Sequence, residues 1–317
     1  MKPPARCYRL FGLRVASDIE LPELFGAEAG AEGGAVDVTI VRGAVAAAGP
    51  GAVDGVVVAG DGATLEVADV ARFHVVGGQT ITVDALPGAP EANVRLFLLG
   101  SASAILVYQR GLLPLHANAI EIDGRAVAFL GESGAGKSTL AAWFNDCGAR
   151  ILSDDVCVVG FGDSGGEGGV PLAMPGLPRY RLWRDALERS GRDAADHPRS
   201  YFGDDDYDKY DVAVPAAKSA GAPLPVAALY VLEQGDAFAV EPLVGIAAAQ
   251  ALFAHSYRGG YLAVIGGQEA HWRSCLRLIQ AVPVFRARRR WGAEAMDEQN
   301  AALLDHVRGL AQAPEQS

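Results

Sequence analysis

The chain is poor in basic residues, in organised cysteines and in long apolar runs, and each shortage removes a class of function. Lys and Arg number 27 against 38 Asp and Glu, for a net charge of −11. A chain of that sign is a poor non-specific partner for nucleic acid or an anionic membrane, so neither is expected. The single basic cluster, Arg286-Ala287-Arg288-Arg289-Arg290, reads as a solvated end of a helix or strand. Cys7, Cys147, Cys157 and Cys275 are scattered, with no C-x-x-C pair. That spacing argues against a zinc site and against a disulfide framework, and points to reduced thiols in a cytoplasmic protein. No stretch approaches the roughly 18 apolar residues of a membrane span. Residues 1–6 lack the apolar core of a signal peptide.

Two nucleotide-handling classes are also excluded by missing motifs. No N-K-x-D stands where a GTPase would read guanine, and Asp163-Ser164-Gly165-Gly166 matches D-x-x-G only inside a Gly-rich loop. The transporter signature L-S-G-G-Q is absent. Its partial echo, Ile265-Gly266-Gly267-Gln268-Glu269, comes far too late in the chain.

What remains is a chain of 317 residues, half of them hydrophobic, long for one domain and expected to form two. Residues 1–90 carry short apolar or alternating runs at 36–41, 55–59, 63–67, 73–76 and 80–83, punctuated by Gly, Asp and Pro. That pattern predicts an antiparallel β domain. Residues 91–109 predict a helix. We therefore expect a β-rich N-terminal domain over 1–110 and an α/β domain over 111–317. In the second, residues 112–122 and 126–130 read as two strands joined by the Asp123-Gly124 turn. Residues 150–153, 156–159 and 226–232 read as further strands. Helices are expected at 246–255, 269–281 and 293–311. Residues 161–170 read as an exposed Gly-rich loop. Residues 171–225 read as irregular, with one amphipathic segment at 180–187.

Residues 131–138, Gly131-Glu132-Ser133-Gly134-Ala135-Gly136-Lys137-Ser138, complete the P-loop pattern G-x-x-x-x-G-K-[ST]. Its flanks are right: an apolar strand before, and a helix that continues through Thr139 after. Glycine lets the backbone curl so that successive N–H groups meet phosphate oxygens. Lys137 reaches the terminal phosphates, and the Ser138 hydroxyl is placed to ligate Mg²⁺. ATP with Mg²⁺ is the expected cofactor pair.

Two further elements narrow the chemistry. Asp154-Asp155 ends the strand after the P-loop helix, the first of the pair seventeen residues beyond Lys137. One carboxylate there suits the metal, and an adjacent one suits the proton of an attacking hydroxyl. His116 precedes the P-loop by fifteen residues on the neighbouring strand, where an imidazole would orient or charge-assist an aspartate.

Together these elements resemble the catalytic domain of the HPr kinase/phosphorylase family over residues 112–160. The matching text is Leu115-His116-Ala117, the P-loop, and Leu152-Ser153-Asp154-Asp155-Val156. The resemblance implies an α/β P-loop core. It also implies that His116 and one Asp act on the acceptor proton, while Ser138 and the other Asp serve the metal. Our reading takes Asp154 as base and Asp155 as metal ligand; the residues leave the reverse open. The stretch that carries the family's metal-binding Glu is not found downstream. The opening, residues 8–24 (Tyr8-Arg9-Leu10-Phe11-Gly12-Leu13 and on to Leu24), is similar instead to HPr-kinase-related proteins of bacterial peptide-natural-product (RiPP) clusters. Some relatives there phosphorylate a serine at the C-terminus of a lasso-peptide precursor. Pro175-Gly176-Leu177-Pro178-Arg179-Tyr180-Arg181-Leu182-Trp183 and Tyr207-Asp208-Lys209-Tyr210 share that similarity, which makes Arg179, Arg181 and Lys209 candidates for substrate or phosphate contact.

The resulting expectation is an ATP-dependent serine kinase acting on a peptide or small protein, with homo-oligomerisation open. The N-terminal domain is assigned to substrate recognition, by addition of the peptide to a sheet edge. Two alternatives stand beside it: a catalytically silent nucleotide-binding scaffold, and a nucleotidyl transferase.

Overall fold

A computed structural model of the chain describes residues 6–25, 35–49, 51–162, 169–204, 206–290 and 293–312. Most of the Gly-rich loop expected at 161–170 lies outside them.

The N-terminal region builds a seven-stranded sheet from β1 (Arg6–Leu10), β2 (Leu13–Ser17), β3 (Val38–Arg42), β4 (Val56–Ala59), β5 (Gly62–Val67), β6 (Ala71–Val76) and β7 (Thr80–Ala85). In β6 the residues Ala71, Phe73 and Val75 are buried while Arg72, His74 and Val76 face outward, the period of two that alternation dictates. Its strand order is β1-β2-β3-β7-β6-β5-β4. The sheet is mixed, not antiparallel as expected: β2 with β3 and β3 with β7 run parallel. After β3 the chain crosses to the far edge before the β4–β7 meander brings it back, so β7 returns in the direction of β3. The helical stretch that follows is α1 (Glu91–Phe97) and α2 (Ser103–Gln109), joined by a π-helical turn over Leu98–Ala102. The Ser103 hydroxyl donates to the Leu98 carbonyl at 2.7 Å, beside the Ser103 N–H that closes the wider turn on the same oxygen.

The second sheet has nine strands. They are β8 (Leu113–Leu115), β9 (Ala117–Ile122), β10 (Arg125–Leu130), β11 (Arg150–Ser153), β12 (Cys157–Phe161), β13 (Pro171–Met174), β16 (Leu224–Gln234), β17 (Ala239–Leu243) and β18 (Val284–Arg289). β9 and β10 form the expected hairpin, with Asp123 and Gly124 both at positive φ. β10, β16 and β18 are parallel neighbours. Side chains of β10 divide between two cores. Val127 and Phe129 face α3 (Lys137–Asp146) and α8 (Ala293–Gln312). Ala126, Ala128 and Leu130 face α5 (Gly245–Ala254) and α7 (Gln268–Ala281). Phe129 stacks between Phe144 and Tyr230 at 5.5 and 5.4 Å. A short α6 (Leu262–Ile265) precedes α7. Sheets covered by helices on both faces define an α/β core.

Residues 171–225 are more ordered than expected. β14 (Arg179–Trp183) pairs antiparallel with β15 (Lys209–Ala213), and α4 (Arg184–Arg189) follows β14 directly. The segment read as one amphipathic unit at 180–187 is therefore a strand and then a helix. Tyr180 and Leu182 bury at a spacing of two; Ala186 and Leu187 bury in the helix. The core under the N-terminal sheet also takes in Val156, Val158, Leu177, Tyr257 and Tyr261, so the two sheets share packing.

Candidate functional site

β10 ends at Leu130 and the chain turns at once into the P-loop. Gly131 has φ +154°, and a Cβ there would stand 2.9 Å from the Leu232 carbonyl oxygen. Only glycine lets the loop pass this close to β16. The turn delivers Lys137 to the start of α3, where it is buried and its ammonium donates to the carbonyls of Gly131 (2.7 Å) and Glu132 (3.1 Å). Burial pushes the ammonium below its ordinary range, against the pull of Asp155 and Asp154.

The aspartate pair is split by backbone geometry. Asp155 has φ +71°, a left-handed conformation that Asp tolerates better than most residues, and the two carboxylates diverge. Asp154, 5% exposed, accepts from the Ser138 hydroxyl at 3.0 and 3.2 Å and from the Arg181 backbone N–H at 2.9 Å. Asp155 pairs with the Arg181 guanidinium and stands 3.5 Å from His116 Nε2. The sequence reading joined Ser138 to Asp155; the hydroxyl meets Asp154 instead. Burial raises the Asp154 carboxyl, and the charge of Asp155 adds to it. For Asp155 burial works in the same direction but is outweighed by Arg181, then by His116 and Lys209, which hold it well below the usual carboxylate range.

His116 occupies the break between β8 and β9. Its N–H donates to the His255 carbonyl at 2.7 Å, and its ring meets Tyr257 edge-on at 6.0 Å. Arg181 and Lys209 arrive on neighbouring strands, β14 and β15. The Lys209 ammonium lies over the rings of Trp183 (4.8 Å) and Tyr207 (5.8 Å). Burial and the nearby Arg181 push it below its ordinary range. Arg179 points to another job: it pairs with Asp211, which also accepts from Ser200 at 2.6 Å.

A cavity of about 890 Å³ joins these groups. Ser133, Gly134, Ala135, Gly136, Lys137, Ser138, Thr139, His116, Asp154, Asp155, Arg179, Arg181 and Lys209 all line it. Gly131 and Glu132 do not; they act through their carbonyls on Lys137. Its far wall comes from the N-terminal region, through Leu96, Phe97 and the π-helical residues Leu99, Gly100 and Ser101. The same region also lends Asp54, from the turn before the edge strand β4.

Among the lining residues that escaped the sequence reading are Tyr257, Arg258, Arg289 and Asn300. The basic cluster held a signal for one of them. In β18, Arg286 pairs with Glu233 at 3.0 Å and Arg288 with Glu241, while Arg289 alternates to the other side and reaches the P-loop. The cluster is thus not merely a solvated strand end. Asn300 carried no signal.

Among the described residues no group of three His, Cys, Asp or Glu side chains forms a metal cage. Ser138 and the buried Asp154 offer two adjacent oxygen ligands. Hard oxygen donors in that small number fit Mg²⁺, which keeps several waters and takes further ligands from phosphate.

No protein-family model matches the chain, and no curated protein matches it. Among solved structures it is similar to the HPr(Ser) kinase/phosphatase from Coxiella burnetii, with 12% identity, 62% of this chain and 92% of that chain covered, and a TM-score of 0.34. So loose a superposition carries no argument about function, which rests on the geometry of the cavity.

Proposed function

We propose that the chain is a Mg-ATP-dependent phosphotransferase acting on a hydroxyl of a peptide or protein. The observation that carries this reading is the divergence of the aspartate pair: Asp154 faces Ser138 of the P-loop, and Asp155 faces His116 across the same cavity. A hydrolytic P-loop protein needs a placed water. A kinase needs a carboxylate turned toward a second substrate, and the arm lined by Tyr257, Arg258 and the π-helical turn gives that substrate room.

In this reading Ser138 and Asp154 would hold the metal, where the sequence pattern alone favoured Asp155. When bound, Mg²⁺ would supply charge neutralisation for the triphosphate. The loop amides and Lys137 bind and orient the triphosphate. Asp155, with one oxygen held by Arg181, accepts a hydrogen bond from the acceptor hydroxyl through the other. The oxygen–phosphorus bond forms, the β–γ bridging bond breaks with its electron pair leaving on the diphosphate, and the proton passes to Asp155. A carboxylate of such low basicity orients the hydroxyl first and takes the proton late, as a loose transition state allows. His116, 3.5 Å from the Asp155 carboxylate, orients it toward the hydroxyl. The acceptor class we carry forward is the serine hydroxyl, the C-terminus of a lasso-peptide precursor being the specific case that the sequence resemblance suggests.

The test is incubation with Mg-ATP and a panel of serine-bearing peptides, read by mass spectrometry. A gain of about 80 Da on a serine supports phosphoryl transfer. A gain of a whole nucleotide would replace it with nucleotidyl transfer, and no adduct on any peptide or protein acceptor would favour the silent scaffold.

A further inference from the structure

One arm of the cavity has no part in the chemistry above. It is formed where β18 ends against α8. Arg289 lies across the P-loop there: its guanidinium donates to the Ala135 carbonyl at 2.8 Å and to Asn300 Oδ1 at 3.2 Å. A Cβ on Gly136 would stand 3.0 Å from the same guanidinium. Arg286 and Arg288, its neighbours on the strand, each pair with a glutamate. Among the described residues no carboxylate pairs with Arg289. Burial pushes it down only to about 10, so it stays cationic at neutral pH. A half-buried cation without an anion is costly unless a ligand supplies one.

Asn300 adds an independent observation. It is fully buried, at 0% exposure. Its Oδ1 is taken by Arg289, and its Nδ2 has no hydrogen-bond partner among the described residues. Yet the residue lines the cavity. A buried amide donor without a partner, in a residue that borders a cavity, calls for an acceptor that the described chain does not supply. The two groups are held in place from behind. Gln299 accepts from the Arg290 N–H at 2.7 Å and donates to the Arg290 carbonyl at 3.2 Å, which ties α8 to the end of β18.

We propose that Arg289 and Asn300 form the nucleoside-side subsite of the P-loop. The guanidinium takes the phosphate next to the ribose, and the Asn300 amide donates to an acceptor atom of the nucleoside. This rests on the reading of residues 131–138 as a triphosphate site and deepens it: the loop grips phosphate, and β18 with α8 reads what the phosphate is attached to.

The test is calorimetric titration of the full chain with ATP and with inorganic tripolyphosphate, both with Mg²⁺. The wild type binds ATP at least about tenfold more tightly, the scale of one satisfied hydrogen bond plus the contact area of a nucleoside. Asn300→Leu lowers ATP affinity by about tenfold and leaves tripolyphosphate affinity within about twofold. Asn300→Asp keeps the acceptor that Arg289 uses, guards against a packing defect, and also lowers the ratio of the two affinities. Arg289→Gln weakens both ligands. Wild-type preference for ATP surviving unchanged in both Asn300 variants overturns the subsite while the P-loop reading stands. A wild type that binds neither ligand overturns the P-loop reading itself, and the subsite with it.

Discussion

The Ser138 hydroxyl donates to the carboxylate of Asp154, at 3.0 Å, and not to that of Asp155. This makes Asp154 the partner of the P-loop at the metal position. Asp154→Asn is therefore expected to raise the Mg²⁺ concentration needed for half-maximal turnover, by at least the ten- to hundredfold, roughly, that loss of an outer-shell partner costs. Initial rates over a Mg²⁺ titration check this. An unchanged Mg²⁺ dependence would remove Asp154 from the metal site.

Gly131→Ala adds a methyl group 2.9 Å from the Leu232 carbonyl oxygen at a φ of +154°. The strain costs on the order of 1–3 kcal/mol, or the loop shifts away from β16. Either way the loop amides lose their aim. Thermal unfolding should show a lower midpoint, and nucleotide titration a weaker affinity. An alanine variant that binds ATP like the wild type would show that the loop does not need this close approach.

Lys209→Met keeps the side-chain stem against Trp183 and Tyr207 and removes the ammonium that lies over them. If that ammonium steadies charge in the transferring group, turnover falls by about 10²-fold, the lower range for loss of one electrostatic donor. The unfolding midpoint should move little. A variant with full turnover would mark Lys209 as a packing residue.

How much of this was legible beforehand follows from what each signal encodes. Residues 131–138 are read directly, because glycine, lysine and serine at that spacing have one common use. The strands of residues 56–85 are read from alternation, but alternation is silent on direction, and so the parallel β2–β3–β7 pairing was missed. Tyr180 and Leu182 bury at a spacing of two, and the chain turns helical at Arg184 without a break in amphipathic pattern. That continuity hid β14, the strand that carries Arg181 to Asp155. Which aspartate faces Ser138 depends on the left-handed backbone of Asp155, a conformation that adjacent identical residues do not announce. Asn300 gained its place only through the packing of α8 on β18, a contact with no local sequence trace.

His271 is buried beneath the β8 side of the core. Its Nε2 and the Ser256 hydroxyl are 2.6 Å apart, with the rings of Tyr108 and Phe253 edge-on. Burial lowers it to about 4 from an ordinary 6.5. In the window between those values the unfolded chain binds a proton that the folded chain refuses, so stability falls as pH drops from about 6.5 toward 4. The loss amounts to roughly 3 kcal/mol at the lower end. Unfolding midpoints from pH 7 to 4 should therefore fall more steeply for the wild type than for His271→Gln. Parallel curves would show that His271 does not resist protonation.

The most direct measurement is single-turnover phosphoryl transfer from Mg-ATP to a serine-bearing acceptor by Asp155→Asn, with ATP affinity measured on the same protein. The substitution keeps the shape of the side chain facing His116 and removes its ability to take a proton. Transfer should slow by about 10²–10⁴-fold, the usual contribution of a positioned base, while ATP affinity stays close to that of the wild type. Transfer at the wild-type rate with ATP bound would contradict the assignment of Asp155, and with it the hydroxyl chemistry proposed for this cavity.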